Sequence, residues 1–142
     1  MIPNNLKERL DLQEKNHAIR PNDAQAKTGL KELGIDENSE FGLIYRHYYP
    51  SNFQSNTSHE FLGDIAEPYN EVLEGTRFAY ETWELPGNFI AFTSMQGEGC
   101  YLLDRNTGGV WDFDLAEREA FMSGNTPPTW LSFYEFLAWY LS

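Results

Sequence analysis

A chain of 142 residues with 41% hydrophobic and 15% aromatic content has the apolar surface to build one packed domain spanning residues 1–142, and is too rich in aromatics for a disordered acidic tail. A formal net charge of −12 opposes nucleic acid as a direct ligand, because phosphates would meet like charge. The single cysteine, Cys100, excludes an intrachain disulfide and a cysteine-built zinc cluster.

Residues 4–17 are polar and helical in propensity, with Leu6 and Leu10 at helical spacing. Pro21-Asn22-Asp23 interrupts, and a second helix is expected from Asp23 to Leu33, closed by Gly34. All six lysine and arginine residues up to Lys31 belong to this stretch, against four acids. Beyond it, four arginines face eighteen carboxylates, leaving −14 on the body of the chain. Phe41, Ile44, Tyr45 and Tyr48 then fall at i, i+3, i+4 and i+7, which predicts a helix with acids at its start; Gly42 and the aromatics keep a strand in competition. Pro50 stops that element and residues 50–58 read as a polar loop.

Pro68 suits the first turn of another helix, in which Tyr69, Val72, Leu73, Thr76, Ala79, Tyr80 and Trp83 keep a 3.6 period up to Leu85-Pro86-Gly87. Three short strands follow, Asn88–Thr93, Gly99–Leu103 and Val110–Leu115, with glycine-rich connections that favour an antiparallel meander. In the third, Trp111, Phe113 and Leu115 share one face, expected to be covered; Val110, Asp112 and Asp114 share the other, expected to be wet and acidic. Ser132-Phe133-Tyr134-Glu135 reads as a capping box ahead of an apolar stripe of Phe133, Phe136, Leu137, Tyr140 and Leu141. That helix is expected on the covered face.

Chemistry-bearing motifs are sparse. Gly97-Glu98-Gly99 precedes a strand, whereas a phosphate cradle needs a helix start, so a hairpin turn is the better reading. Asp112 and Asp114 show no third ligand for a metal, and His17, His47 and His59 share no ligand spacing, so no metal or cofactor is expected. Cys100 has no basic neighbour in sequence and reads as packing. Most tryptophans sit at core periodicity; Trp130 and Trp139 are the candidates for an interface. No apolar run reaches ~18 residues and no leader pattern is visible, which points to the cytoplasm and away from membranes.

From Leu85 onward the chain resembles the SUKH superfamily, the Smi/Knr group. The likeness is carried by Leu85-Pro86-Gly87-Asn88-Phe89-Ile90-Ala91-Phe92, by the run from Gly97 through Asp104-Arg105-Asn106-Thr107-Gly108-Gly109-Val110-Trp111 to Asp114, and by Ser132-Phe133-Tyr134-Glu135-Phe136-Leu137. Leu33-Gly34-Ile35 and the following helix are similar to the family's early region, although Tyr48-Tyr49-Pro50 replaces its usual proline pattern. The resemblance implies an α+β fold, an antiparallel sheet of about 3–6 strands packed by N-terminal helices and a C-terminal helix. It carries no shared catalytic signature. Many bacterial members look like immunity proteins that neutralise a cognate toxin, often a nuclease, and eukaryotic relatives look like intracellular regulatory scaffolds.

The expectation is therefore a non-enzymatic, monomeric or weakly dimeric protein whose acidic surface steers onto a basic toxin domain. Glu98, Asp112, Asp114, Glu117 and Glu119 are the candidate contact residues. A regulatory interaction module without a toxin is the alternative, and a small hydrolase using paired carboxylates is a third reading, which requires a concave pocket with two converging acids.

Overall fold

Three short strands, β1 (Phe89–Ala91), β2 (Gly99–Asp104) and β3 (Val110–Asp114), pair as an antiparallel meander in the order β1-β2-β3. The computed structural model describes residues 2–66, 68–93 and 97–142. Among them are six helices: α1 (Asn4–Leu12), α2 (Ala24–Leu33), α3 (Glu40–His47), α4 (Glu71–Glu81), α5 (Arg118–Met122) and α6 (Phe133–Tyr140). The class is α+β, and the three strands stand at the low end of the expected range.

Local chemistry explains most boundaries. Helix α1 is shorter than expected: after Leu12 the chain tightens into a 3₁₀ turn over Gln13–Asn16 and leaves it through His17 at φ 60°. Gly34 ends α2 in the left-handed conformation. Ser39 caps α3 by accepting from the Gly42 N–H, so the helix wins over the strand there. Pro68 lies ahead of α4 rather than in its first turn, because Asn70 is the cap and its side chain accepts from the Leu73 N–H. Between β2 and β3, the Asp104 carbonyl accepts from Gly108 N–H at 2.7 Å and its carboxylate from Asn106 N–H at 2.9 Å.

Both faces of the sheet are covered at the Val110 end, which corrects the expectation of one wet face at Val110; Asp112 and Asp114 are exposed as expected. Register pairs Ile90 with Leu103 and Leu103 with Val110, and all three join the main core with Leu10, Leu30, Phe41, Tyr45, Phe92, Phe133 and Phe136. Val110 is fully buried there, and α6 packs on this face rather than on that of Trp111 and Phe113. The opposite face carries Ala91, Cys100, Leu102 and Phe113 against Ala79 and Trp83 of the α4 end and Phe121 of α5. Each fully buried aromatic or aliphatic side chain contributes roughly 1.5–3 kcal/mol. Cys100 is packing in this second cluster, and its thiol is pushed up to about 12 by burial first and then by the charges of Glu60 and Asp112.

Ionic pairing concentrates in the N-terminal half. The Arg20 side chain is buried, donates to the Tyr45 and Tyr48 carbonyls at 2.8 and 3.2 Å, and pairs with Asp64 at 2.6 Å. Arg46 on α3 reaches Asp23 at 3.2 Å, and Lys27 lies 3.9 Å from both Asp23 and Glu37. Gly29 lets α2 close on the 62–66 segment, because a Cβ there would drive into the Ile65 carbonyl oxygen.

Candidate functional site

Along the main-core face of β3, polarity switches in one two-residue step. Val110 is buried, while Asp112 and Asp114, the next side chains on that face, are exposed. Their partners across the ladder are Tyr101 and Gly99. Gly99 has no side chain to cover Asp114, and a Cβ there would meet the Phe113 carbonyl oxygen at 2.9 Å. The face therefore opens into a cleft of about 330 Å³, walled by Glu60, Glu98, Tyr101, Asp112 and Asp114.

Glu60 enters this cleft from the polar loop. Ser55 donates to the Tyr140 carbonyl at 2.6 Å and Thr57 to the Trp139 carbonyl at 3.1 Å, which fastens the loop to the C-terminal end of α6. Ser58 and the Tyr101 hydroxyl share a 2.6 Å hydrogen bond, and the Tyr140 hydroxyl donates to the Glu60 carbonyl at 2.7 Å. These contacts hold Glu60 opposite β3.

Two of the cleft carboxylates, Asp112 and Glu60, are raised. Asp112 is held above its ordinary value by partial burial, then by the charges of Asp114 and Glu117. Glu60 is raised by burial and by Asp112, against a smaller opposing effect from His59. Tyr101 is raised by burial, with Asp112 and Glu60 adding to it and the Ser58 hydrogen bond opposing. Among the described residues, every lysine or arginine side chain within 4 Å of a carboxylate pairs with Asp11, Asp23, Glu37, Asp64 or Glu84, none of which lines the cleft. The described residues also bring no three His, Cys, Asp or Glu side chains to metal-binding distance. The cleft is thus a concave negative field that a guanidinium or ammonium group from outside would relieve.

Of the residues singled out from sequence, Glu98, Asp112 and Asp114 line the cleft. Asp114 also spends one oxygen on the Ala116 N–H at 2.9 Å, capping the turn that follows β3. Glu117 stands close enough for Asp112 to feel its charge. Glu119 sits in the first turn of α5 and does not line the cleft. Glu60 was not among the sequence candidates; nothing within its loop marks it. The Trp130 and Trp139 side chains are half-buried, lie 4.9 Å apart with their rings tilted by 40°, and pack against the main core beside Tyr101.

A second cavity, about 320 Å³, lies at the other end of the β2–β3 ladder, between the 104–108 turn and the starts of α3 and α6. Its polar groups are satisfied within the chain. Glu40 accepts from the Tyr134 N–H at 2.9 Å, Arg105 donates to the Leu33 carbonyl at 3.0 Å, and Ser132 accepts from the Glu135 N–H at 3.2 Å. The Glu135 carboxylate reaches back to the Leu131 N–H at 2.9 Å, one residue earlier than the usual capping box.

Comparison with known proteins gives no match: no family model, curated protein or solved structure is significantly similar to the chain. No helix of the described residues is long and apolar enough to cross a membrane.

Proposed function

We propose that this chain is a cytoplasmic, non-enzymatic immunity protein of the SUKH type, which binds a basic toxin domain and blocks it. The observation that carries the reading is the acidic cleft: Glu60, Glu98, Asp112 and Asp114 converge, and among the described residues no lysine or arginine pairs with any of them. A nuclease toxin fits best, because a surface built to hold phosphates is basic and complementary to this one. Strand addition is disfavoured as the binding mode. Thr76 accepts from the Ala91 N–H on the outer edge of β1, and Trp130 and Thr129 pair with Val110 and Asp112 on the outer edge of β3. Contact therefore falls to side chains.

The test is direct. The reading predicts a toxin domain encoded beside this chain; it is expressed alone and with the chain, and the purified pair is titrated at low and high salt. One-to-one protection that weakens as salt rises is the expected result. Cells that die at the same rate with and without the chain would sink the reading.

A second reading draws on the same cleft. It is concave, and burial together with neighbouring charge raises both Glu60 and Asp112, as a carboxylate-pair hydrolase requires. It predicts turnover of some chromogenic ester or glycoside that Glu60→Gln abolishes; a silent panel removes it.

A further inference from the structure

Helix α6 is poorer in charge than the other long helices. Helix α2 turns Lys27, Lys31 and Glu32 to water, and α4 sets Glu71, Glu74 and Glu81 beside the exposed Phe78 and Tyr80. Helix α6 has one charged residue, Glu135, and its inner side buries Phe133, Phe136, Leu137 and Tyr140. Tyr134, Ala138 and Trp139 remain half-exposed on the outer side, and Leu131, just ahead of the Ser132 cap, is 72% exposed. A helix that only covers a core presents a polar outer side; one apolar all round is ordinarily buried on both. The Tyr134 hydroxyl is screened from water and makes no hydrogen bond among the described residues.

The charge around this face selects its occupant. Trp139 lies edge-on to Tyr101 at 6.2 Å, and Tyr101 is a wall of the acidic cleft, so a single buried ring separates the apolar face from the cleft. Glu135 sits on the face itself with one oxygen on the Leu131 N–H, and Arg9 of α1 already donates to the Ala138 carbonyl. A second copy of the chain would bring −12 against −12 and acid against acid, and an anionic membrane would be repelled likewise. A protein with an apolar patch rimmed by arginine meets both halves at once, stacking guanidinium on indole and pairing it with carboxylate.

The geometry points to the Leu131–Trp139 face of α6 as the apolar anchor of a docking surface, joined through Tyr101 to the acidic cleft, for a protein partner presenting leucine-like side chains within an arginine rim. This rests on the partner-binding reading above and adds where desolvated contact is made.

The test uses the isotopically labelled full chain and a synthetic amphipathic helical peptide of leucine and arginine, with two controls: leucine replaced by serine, and arginine replaced by glutamate. The leucine–arginine peptide is expected to shift the Trp130 and Trp139 indole signals and the α6 amides, and to bind about tenfold more tightly than the serine version. Leu131→Lys, at an exposed position, should erase that tenfold and leave the weak serine-peptide binding near its original level. Binding that ignores Leu131→Lys and shifts only cleft signals would overturn the α6 proposal while sparing the acidic-surface reading. No binding of either cationic peptide goes against both. Sedimentation showing a dimer that α6 substitutions dissociate, or α6-dependent binding to phosphatidylserine vesicles, replaces the proposed occupant and also overturns it.

Discussion

Two cavities of nearly equal size, about 320 and 330 Å³, lie at opposite ends of the β2–β3 ladder and treat charge in opposite ways. At the turn end, Glu40 and Arg105 each hold a backbone group of another segment, so the charges act as fasteners. At the open end, Asp112 raises the pKa of Glu60, and Asp112 is itself raised by partial burial and the charges of Asp114 and Glu117. The first arrangement stabilises the chain by itself. The second is an electrostatic debt within the folded state, and it makes sense if a cation from elsewhere settles it. The same contrast divides the whole molecule: Arg20, Lys27 and Arg46 are paired in the N-terminal half, while the acids of the C-terminal half are in excess.

Removing a fastener should therefore hurt and removing an unpaired acid should help. The largest effect is expected from Arg20→Ala, which leaves Asp64 and the Tyr45 and Tyr48 carbonyls without their donor. Breaking one side of such a buried pair costs about 3–5 kcal/mol, roughly 10 °C in melting temperature for a chain of this size. Calorimetry of the purified variant checks it; a change below about 1 kcal/mol would show that the pair is dispensable. Glu40→Ala comes next. It frees the Tyr134 N–H at the start of α6 and should cost about 1 kcal/mol in urea unfolding, with the slope unchanged.

How far the sequence reveals these two ends depends on the range of the interaction. Capping and turn chemistry acts within a few residues, so Gly34, Ser132 and the Asp104–Gly109 turn announce their elements in the residue order alone. Strand alternation says that two faces differ, but not which neighbour covers each. Val110 and Asp112 share a face, yet α6 reaches only the first, which is why the wet-face reading failed at Val110 and held at Asp112. Glu60 was illegible for the same reason. Ser55 and Thr57 bring it to the cleft by gripping carbonyls more than 80 residues away, and no local pattern encodes that contact.

The unpaired acids make the smallest and most discriminating predictions. Asp112→Asn and Glu60→Gln should each stabilise the free chain by on the order of 0.5 kcal/mol at neutral pH, against the usual direction for substitutions. Their pH behaviour follows from the raised pKa. A carboxyl that binds its proton more readily folded than unfolded lends stability that is complete below its ordinary value, 3.8 for Asp112 and 4.5 for Glu60, and is lost as pH rises through the folded value. Asp23 behaves oppositely: partial burial pushes it up, but the Arg46 hydrogen bond and the charges of Lys27 and Arg46 win and hold it low. Its contribution is present above its ordinary value and fades as pH falls. Urea midpoints from pH 7 down to about pH 3 should thus change differently in the two variants: Asp112→Asn removes a component that grows on acidification, and Asp23→Asn removes one that shrinks only below its ordinary value of 3.8. Added salt sharpens the same contrast. Screening the cleft should raise the melting temperature of the wild-type chain more than that of Asp112→Asn, since only the former still carries the full repulsion. Equal salt responses would mean that the cleft acids are already relieved by solvent, and the cleft would then have no stored repulsion for a basic partner to release.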